Sequence, residues 1–319
     1  MAKPFVNPFV SGQFLELRVD ALVSDGRGLG RHDGVVVLVE DALPGQLVRA
    51  RVAAVRKSLA EAALVEVLER SPDEQEPPCP HAGRCGGCSW QSLAYGRQLA
   101  WKERIVHDAL ERVGKVACPP MLPILPSPSE WGYRNKMEFS FGDEYKDGPL
   151  SLGLHKKGST YDILNTDDCK LVHPDMTKIL ACVREFFLER NASFYKKLQH
   201  VGYLRHLLLR RGVTSGEILV HVVTTTQEEY DLEPLKEQLL ALPLEGKIVG
   251  IMHILNDSLS DVVQSDETKI LYGKDYFYEE LLGLKFKIST FSFFQPNSLA
   301  AEILYSKVRE YVGDTRDKV

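Results

Sequence analysis

Three cysteines stand at positions 79, 85 and 88 in the stretch CPHAGRCGGCSW, directly after the proline-rich SPDEQEPP. Thiols this close together serve one of three chemistries: disulfide exchange, zinc binding or iron–sulfur binding. A redox pair of the C-x-x-C type sits between a strand and a helix, whereas Cys85 and Cys88 enclose two glycines and follow a linker. A structural zinc site shows two such knuckles, or a cysteine pair with a histidine pair. This chain has one knuckle, with a third cysteine ahead of it. Three clustered thiolates joined by one remote thiolate form a common ligand set of a [4Fe–4S] cluster. The remote candidates are Cys118, Cys169 and Cys182. Cys182 falls on the apolar side of a helical pattern with Ile179, Val183 and Phe186, the place of a buried core thiol. Cys118 precedes Pro119–Pro120 in a loop, and Cys169 lies in the polar turn NTDDCKLVHPDM. The residues alone leave both open and favour Cys169 slightly.

A second set of groups is basic. The chain carries 39 Lys and Arg against 44 Asp and Glu, a net charge of −5. That balance excludes blanket attraction to nucleic acid and leaves room for a local basic face. Between Ala192 and Gly216 stand Lys196, Lys197, Arg205, Arg210 and Arg211, with His200 and His206 and no Asp or Glu. The excess reads as a phosphate-facing patch, with a merely solvated face as the alternative. Arg27, Arg31 and His32 belong to DGRGLGRHDG. Its G-x-G-x-G imitates a dinucleotide loop, but that fingerprint needs a helix N-terminus to receive the pyrophosphate. A strand-like run, VVVLVE, follows instead. The segment is expected to be a flexible hairpin displaying its arginines, to a polyanion or to solvent alone.

These groups need a scaffold. In LELRVD the apolar Leu15, Leu17 and Val19 alternate with Glu16, Arg18 and Asp20, and VVVLVE, LVRARV and LVEVLE continue the strand signal to residue 68. Four or five short strands with tight turns predict a closed barrel of the OB type. Residues 92–114 carry a helical stripe of Leu93, Leu99, Ile105, Val106, Leu110 and Val113, stopped by Gly114. Residues 131–290 alternate KMEFSFG, LSLGLHKK, EILVHVVTT and IVGIMHIL with helices near 174–190 and 232–242. An α+β domain with a mostly antiparallel sheet is expected. Asn297 suits the N-cap of a last helix, and Gly313 suits its end. At 319 residues and 44% hydrophobic, the chain predicts two or three soluble domains. Six cysteines are too few for a disulfide scaffold, and no run resembles a signal peptide or a membrane span. A cytoplasmic monomer is expected.

Several stretches resemble known families. SDGRGLGRHDGVVVLVEDALPGQLVRARV resembles a TRAM domain, the small RNA-binding barrel attached to several RNA-modifying enzymes, over about residues 10–70. CPHAGRCGGCSWQSLAYGRQLAWKERIVHDAL, followed far downstream by DDCKLV, resembles the RNA uracil-5-methyltransferases that carry an iron–sulfur cluster. WGYRNKMEFSFG (131–142), YLRHLLLRRG (203–212) and SFFQPNSLAAEILY (292–305) match the same family in the same order, the last being the most specific. The resemblance implies Cys79, Cys85, Cys88 and Cys169 as the ligands of a [4Fe–4S] cluster, with zinc as the alternative. It implies Gln295 as a contact to the methyl donor S-adenosylmethionine and places Phe293 where the target base enters, with Phe294 read as core. Arg27, Arg31, Arg134, Lys136, Lys196, Lys197, Arg205, Arg210, Arg211 and Phe293 are the expected RNA contacts. Pro296 stands where the family has an aliphatic residue, which an N-cap tolerates.

The implied architecture is multi-domain. A TRAM-like OB barrel covers 9–70, and a central α+β RNA-binding domain with the cysteine cluster covers 71–91 and 117–285. Residues 92–116 and 286–319 supply the first elements of an α/β Rossmann-like methyltransferase domain. The family's glycine-rich donor-binding loop and its glutamate base match no stretch here, and none of the six cysteines matches its nucleophile. The chain is therefore expected to be the N-terminal portion of a longer enzyme, inactive alone. The implied reaction methylates C5 of a uridine after a cysteine thiolate adds at C6, on a base flipped out of its stack. Within the family, barrel and cysteine cluster together favour large-subunit (23S) ribosomal RNA, with tRNA as runner-up. A non-enzymatic, metal-containing RNA adaptor is the alternative from another class. A radical or redox iron–sulfur enzyme would show a C-x3-C-x2-C run, which this sequence lacks.

Overall fold

The computed structural model describes residues 7–314, so the last five residues of the segment 286–319 lie outside it. Two compact units divide the chain, residues 7–78 with 88–126 and residues 79–87 with 127–314. Among the described residues no helix is long and apolar enough to cross a membrane.

In the first unit, strands β1 (Phe14–Leu22), β2 (Gly28–His32), β3 (Val35–Glu40), β4 (Leu47–Val55) and β5 (Leu59–Glu69) close into a barrel in the order β1-β2-β3-β5-β4. Leu15, Leu17 and Val19 point inward with Val37, Val39, Val48 and Ala50, as their alternation predicts. The glycine-rich segment differs from expectation. The hairpin is present, but Gly28–His32 forms a regular barrel strand paired with β1 and β3 rather than a flexible segment. A Cβ at Gly30 would lie 2.4 Å from the Arg18 carbonyl oxygen, and one at Gly28 2.7 Å from that of Ala42. The glycines are there for close backbone approach.

Helix α1 (Tyr95–Asp108), prolonged by a wide turn at Ala109–Val113, belongs to this unit. Leu93 just before it is fully buried with Leu22 and Leu43, and Trp101 and Ile105 pack on the same cluster. The Trp90 Nε1–H donates to the Gly26 carbonyl at 3.0 Å. The contacts thus join 92–116 to the barrel, whereas the sequence grouped that segment with 286–319. No residue of α1 is buried, and the Val106, Leu110 and Val113 part of its stripe is exposed.

The second unit contains β6 (Lys136–Asp143), β7 (Leu150–His155), β8 (Ile163–Asn165), α2 (Pro174–Glu189), β9 (Leu204–Arg211), β10 (Glu217–Thr224), α3 (Glu233–Leu240), β11 (Lys247–Leu255), β12 (Glu267–Gly273), β13 (Tyr276–Leu281), β14 (Leu284–Ser289) and α4 (Ser298–Val312). Seven strands form one sheet in the order β12-β11-β10-β9-β6-β7-β8, with β13 and β14 as a separate hairpin. β10 and β11 run parallel, and the other described pairs of this sheet are antiparallel. Helix α2 lays Met176, Ile179, Val183 and Phe187 against Leu207, Leu209, Val220 and Val222 on one face. On the other face Leu219 and Met252 pack against Phe277 and Ile288 of the hairpin. The central strands are buried on both faces, so they read as almost continuous apolar runs.

Candidate functional site

The cysteine segment is fastened to the end of β7 in the large sheet. Gly86 N–H donates to the His155 carbonyl at 2.9 Å, Lys157 N–H to the Arg84 carbonyl at 2.7 Å, and Cys85 bridges Lys156. Cys79 is buried, and the Gly87 N–H points at Cys85 Sγ at 3.4 Å. Cys169 sits in the turn after the edge strand β8, its N–H donating to the Thr166 carbonyl. Cys79, Cys85 and Cys169 belong to the second unit and Cys88 to the first. The donor chemistry suits a metal. Yet among the described residues no three Cys, His, Asp or Glu side chains come together as a metal site. Cys182 packs against the α2 core as its helical position predicts, and burial pushes its thiol up to about 11.

Tertiary structure redistributes the basic run. Arg205, 2% exposed, gives Nη1 to the carbonyls of Asn256 (2.9 Å) and Ser258 (2.6 Å), gives Nη2 to that of Ser260 (2.5 Å), and lies over the Tyr195 ring. Arg210, 3% exposed, gives Nη1 to the Ser289 carbonyl at 2.6 Å and Nη2 to that of Ser292. Both guanidinium groups are spent on loops of their own chain, which corrects the expectation that they face RNA. Burial holds both below the ordinary arginine range, Arg210 at about 10. The neutralising acids come from outside the run. Lys197 pairs with Asp261 at 2.5 Å, Lys196 with Asp147 at 3.8 Å, and Arg211 with the buried Asp175 at 3.5 Å. Lys136 pairs with Glu138 at 2.7 Å, and Arg134 Nε donates to the Lys136 carbonyl. In the barrel, Arg27 holds Asp25 through Nε (2.9 Å) and Nη2 (2.6 Å), while Arg31 on β2 is exposed.

One buried side chain links two of the sequence motifs. Asn135 Nδ2 donates to the Gln295 carbonyl at 2.8 Å and to Ser298 Oγ at 2.9 Å, and its N–H donates to the Pro296 carbonyl. WGYRNK therefore holds the backbone of FFQPN, and Arg210 holds the start of the same loop. Asn297 caps α4 through the Ala300 N–H at 3.0 Å, as expected, and Gly313 ends the helix with φ at 65°. Phe294 packs on Phe286 beside the Leu219–Phe277 cluster. Phe293 is 85% exposed at the loop tip, a large apolar surface with no described cover.

The hairpin carries a surface that the sequence reading missed. Tyr276 and Tyr278 share one face of β13, with Lys287 opposite Tyr278 and Lys285 opposite Glu280 on β14. Lys287 Nζ lies 4.0 Å from the Tyr276 ring centre, and Lys285 Nζ lies 4.2 Å from that of Tyr278. Lys274 reaches both rings, which stand edge to face at 5.6 Å. Interleaved aromatic rings and ammonium groups suit single-stranded nucleic acid, which stacks bases and neutralises phosphates together. The Y-x-Y and K-x-K spacings were the signal, since period two puts each pair on one face.

Comparison with known proteins places these features. Residues 8–65 match the TRAM domain. The chain is 45% identical over 307 residues to an uncharacterized RNA methyltransferase of Caldanaerobacter subterraneus, covering 96% of this chain and 68% of that one. An uncharacterized RNA methyltransferase of Clostridium tetani is 43% identical over 309 residues, with 96% and 67% covered. Among solved structures, the tRNA (uracil-54, C5)-methyltransferase of Pyrococcus abyssi with S-adenosyl-L-homocysteine is similar at a TM-score of 0.70 and 27% identity. That likeness covers 93% of this chain and 65% of the other.

Proposed function

The chain belongs to the RNA methyltransferase family, and on that premise we propose that it acts in S-adenosylmethionine-dependent methylation of C5 of a uridine in RNA. The observation that carries this reading is the fold shared over 93% of the chain with a uracil-C5 methyltransferase holding S-adenosyl-L-homocysteine. C5 of uracil is a weak nucleophile. A cysteine thiolate adding at C6 makes C5 an enolate carbon, which takes the methyl group and releases S-adenosylhomocysteine. A base then removes the C5 proton, and the thiolate leaves. The reading assigns Gln295 to the donor and Phe293 to the entering base, and it assigns thiolate and base to none of the described residues. Asn135 and Arg210 position the loop that carries Gln295 and Phe293. The barrel and the Tyr276–Lys287 face supply RNA contacts, and their binding energy supports flipping of the base.

The ribosomal large subunit is the proposed substrate, in the cytoplasm and with the protein as monomer. A tRNA is the second reading, favoured by the solved neighbour, whose overlap is too wide to omit the whole barrel. Disrupting the gene is expected to remove one 5-methyluridine from large-subunit RNA, read by mass spectrometry of nuclease digests. Loss from tRNA alone would move the assignment to the second reading. Retention of every 5-methyluridine would end the proposal.

The reading includes a [4Fe–4S] cluster on Cys79, Cys85, Cys88 and Cys169 in a structural role, supported by ligand spacing and by the N–H donor to Cys85 Sγ. The described thiols do not group as a metal site, and the steps above draw on none of its chemistry. Anaerobically purified protein is expected to carry about four irons with matching sulfide, reduced in Cys169→Ala. One zinc without sulfide would replace the cluster, and full iron retention in Cys169→Ala would remove that residue from the ligand set.

Lys285→Ala combined with Lys287→Ala is expected to weaken RNA binding about tenfold and to flatten the log–log salt slope by about 1.4 for two lost phosphate contacts. Filter binding across a salt series reads both. An unchanged slope would take the hairpin out of the interface.

A further inference from the structure

A cleft of about 720 Å³ opens where Tyr203, Thr225, Leu255 and the 228–233 segment meet. It lies at the carboxyl ends of β10 and β11, the one parallel pair among the described strands of the sheet. The chain passes between these two strands through α3, and in α/β units the crevice at such strand ends is where ligands bind. Its rim is acidic, with Glu228, Glu229, Asp231 and Glu233 set against a single lysine, Lys269. Three of these carboxylates are already engaged, Glu228 by Ser193 and Tyr230, Asp231 by the Glu233 N–H at 2.9 Å, and Glu233 by Lys236.

Tyr203 lines this cleft at 1% exposure, and its hydroxyl has no hydrogen-bond partner. The neighbouring Thr224 hydroxyl makes its own hydrogen bonds to the Thr225 carbonyl (3.1 Å) and with His253 Nε2 (2.8 Å). A buried hydroxyl left unpaired costs stability, and the cost is recovered when an occupant supplies the partner. Burial, with Tyr230 and the charges of Glu228 and Glu229, raises the Tyr203 hydroxyl above its ordinary range against an opposing pull from the nearby Thr224 hydroxyl, so it stays protonated and its lone pairs accept. The Tyr203 and Tyr230 rings stand 4.9 Å apart and give the cleft an aromatic wall.

We propose that this cleft binds a primary ammonium group carried on an apolar stem. The ammonium donates to the Tyr203 oxygen, the acidic rim balances its charge, and the tyrosine and leucine walls take the stem. A phosphate is repelled by the rim. A magnesium ion, which requires several oxygen ligands in near-octahedral geometry, gains little from a phenol and two aromatic faces. The ammonium has two sources: a free polyamine, or a lysine side chain of a protein partner.

Calorimetric titration with spermidine, and separately with a lysine-rich peptide, tests the proposal on wild type, Tyr203→Phe and Glu229→Gln/Asp231→Asn. Saturable binding of one equivalent is expected, weakened about tenfold by Tyr203→Phe, the size of one lost bond to a charged donor. Tyr203→Phe removes an unpaired hydroxyl only, so its melting temperature is expected not to fall. Tight binding of spermidine assigns the site to a polyamine, and tighter binding of the peptide assigns it to a protein lysine. Three results overturn the proposal: no saturation by either probe, equal affinity in Tyr203→Phe, or equal displacement by magnesium at matched ionic strength. No RNA enters the measurement, so its failure leaves the methylation reading standing.

Discussion

Arg210→Ala is expected to destabilise the protein by about 3 kcal/mol, because two charge-assisted hydrogen bonds are lost and the Ser292 carbonyl loses its guanidinium donor, while the Ser289 carbonyl keeps only the Ser292 N–H. The side chain is buried on the hairpin side of β9, and its fork closes on the carbonyls of Ser289 and Ser292. Those residues bracket the turn that leads into Phe293 and Gln295. The loss should therefore appear twice, as a lower urea midpoint and as faster amide exchange over residues 289–295. Arg210→Lys should recover only part of it, since one ammonium cannot reproduce a planar fork on two carbonyls. The contrast with the hairpin lysines is the diagnostic. Lys285→Ala and Lys287→Ala are expected to lower RNA affinity at unchanged stability, and Arg210→Ala to lower stability first. An Arg210→Ala protein as stable as wild type but unable to bind RNA would return this residue to the interface.

Acidification from pH 7 to pH 5 is expected to cost about 2 kcal/mol through His221 alone. Its ring is fully buried, with Nδ1–H donating to the Leu208 carbonyl at 2.9 Å and Nε2 accepting from the Thr290 hydroxyl at 3.0 Å. Both nitrogens are satisfied only in the neutral form, and burial pushes the pKa down to about 3. In the unfolded chain the same imidazole takes its proton near the ordinary value of about 6.5. The unfolded state therefore binds more protons below that pH. Stability is full above about 6.5 and falls as pH drops toward 3, with a limiting slope of about 1.4 kcal/mol per pH unit. His155 and His253, also pushed down by burial, act in the same direction. Asp175 and Asp261, held below the usual carboxylate range, add to the loss only at lower pH. Urea unfolding at a series of pH values measures the slope. His221→Gln keeps a donor and an acceptor without a titrating proton, and its curve should be flatter by about one proton below pH 6. Parallel curves for the two proteins would refute the assignment.

Wherever a signal is local, the sequence was legible. Alternation along Leu15, Leu17 and Val19 places those residues inside the barrel, and Asn297 with Gly313 bounds α4, because strand pleat and helix caps depend on neighbours a few residues away. The strands β6, β7, β10 and β11 and the helices α2 and α3 follow for the same reason. β2 escaped because its glycines carry no side-chain pattern, and their purpose is visible only against the Arg18 and Ala42 carbonyls. Charge was legible as composition but not as exposure. The run from Ala192 to Gly216 contains no acid, yet Asp147, Asp175 and Asp261 reach it from distant parts of the chain. Arg205 and Arg210 became clamps because pairing of β9 between β6 and β10 buried them. Period two tells which residues of a strand share a face and is silent on what covers that face. The sequence alone thus determined element types, caps, the barrel and the chemical identity of the candidate ligands. Which cations face outward, the Tyr276–Lys287 surface and the cleft at Tyr203 were decided by strand order and packing, since only these bring groups far apart in sequence within reach of one another.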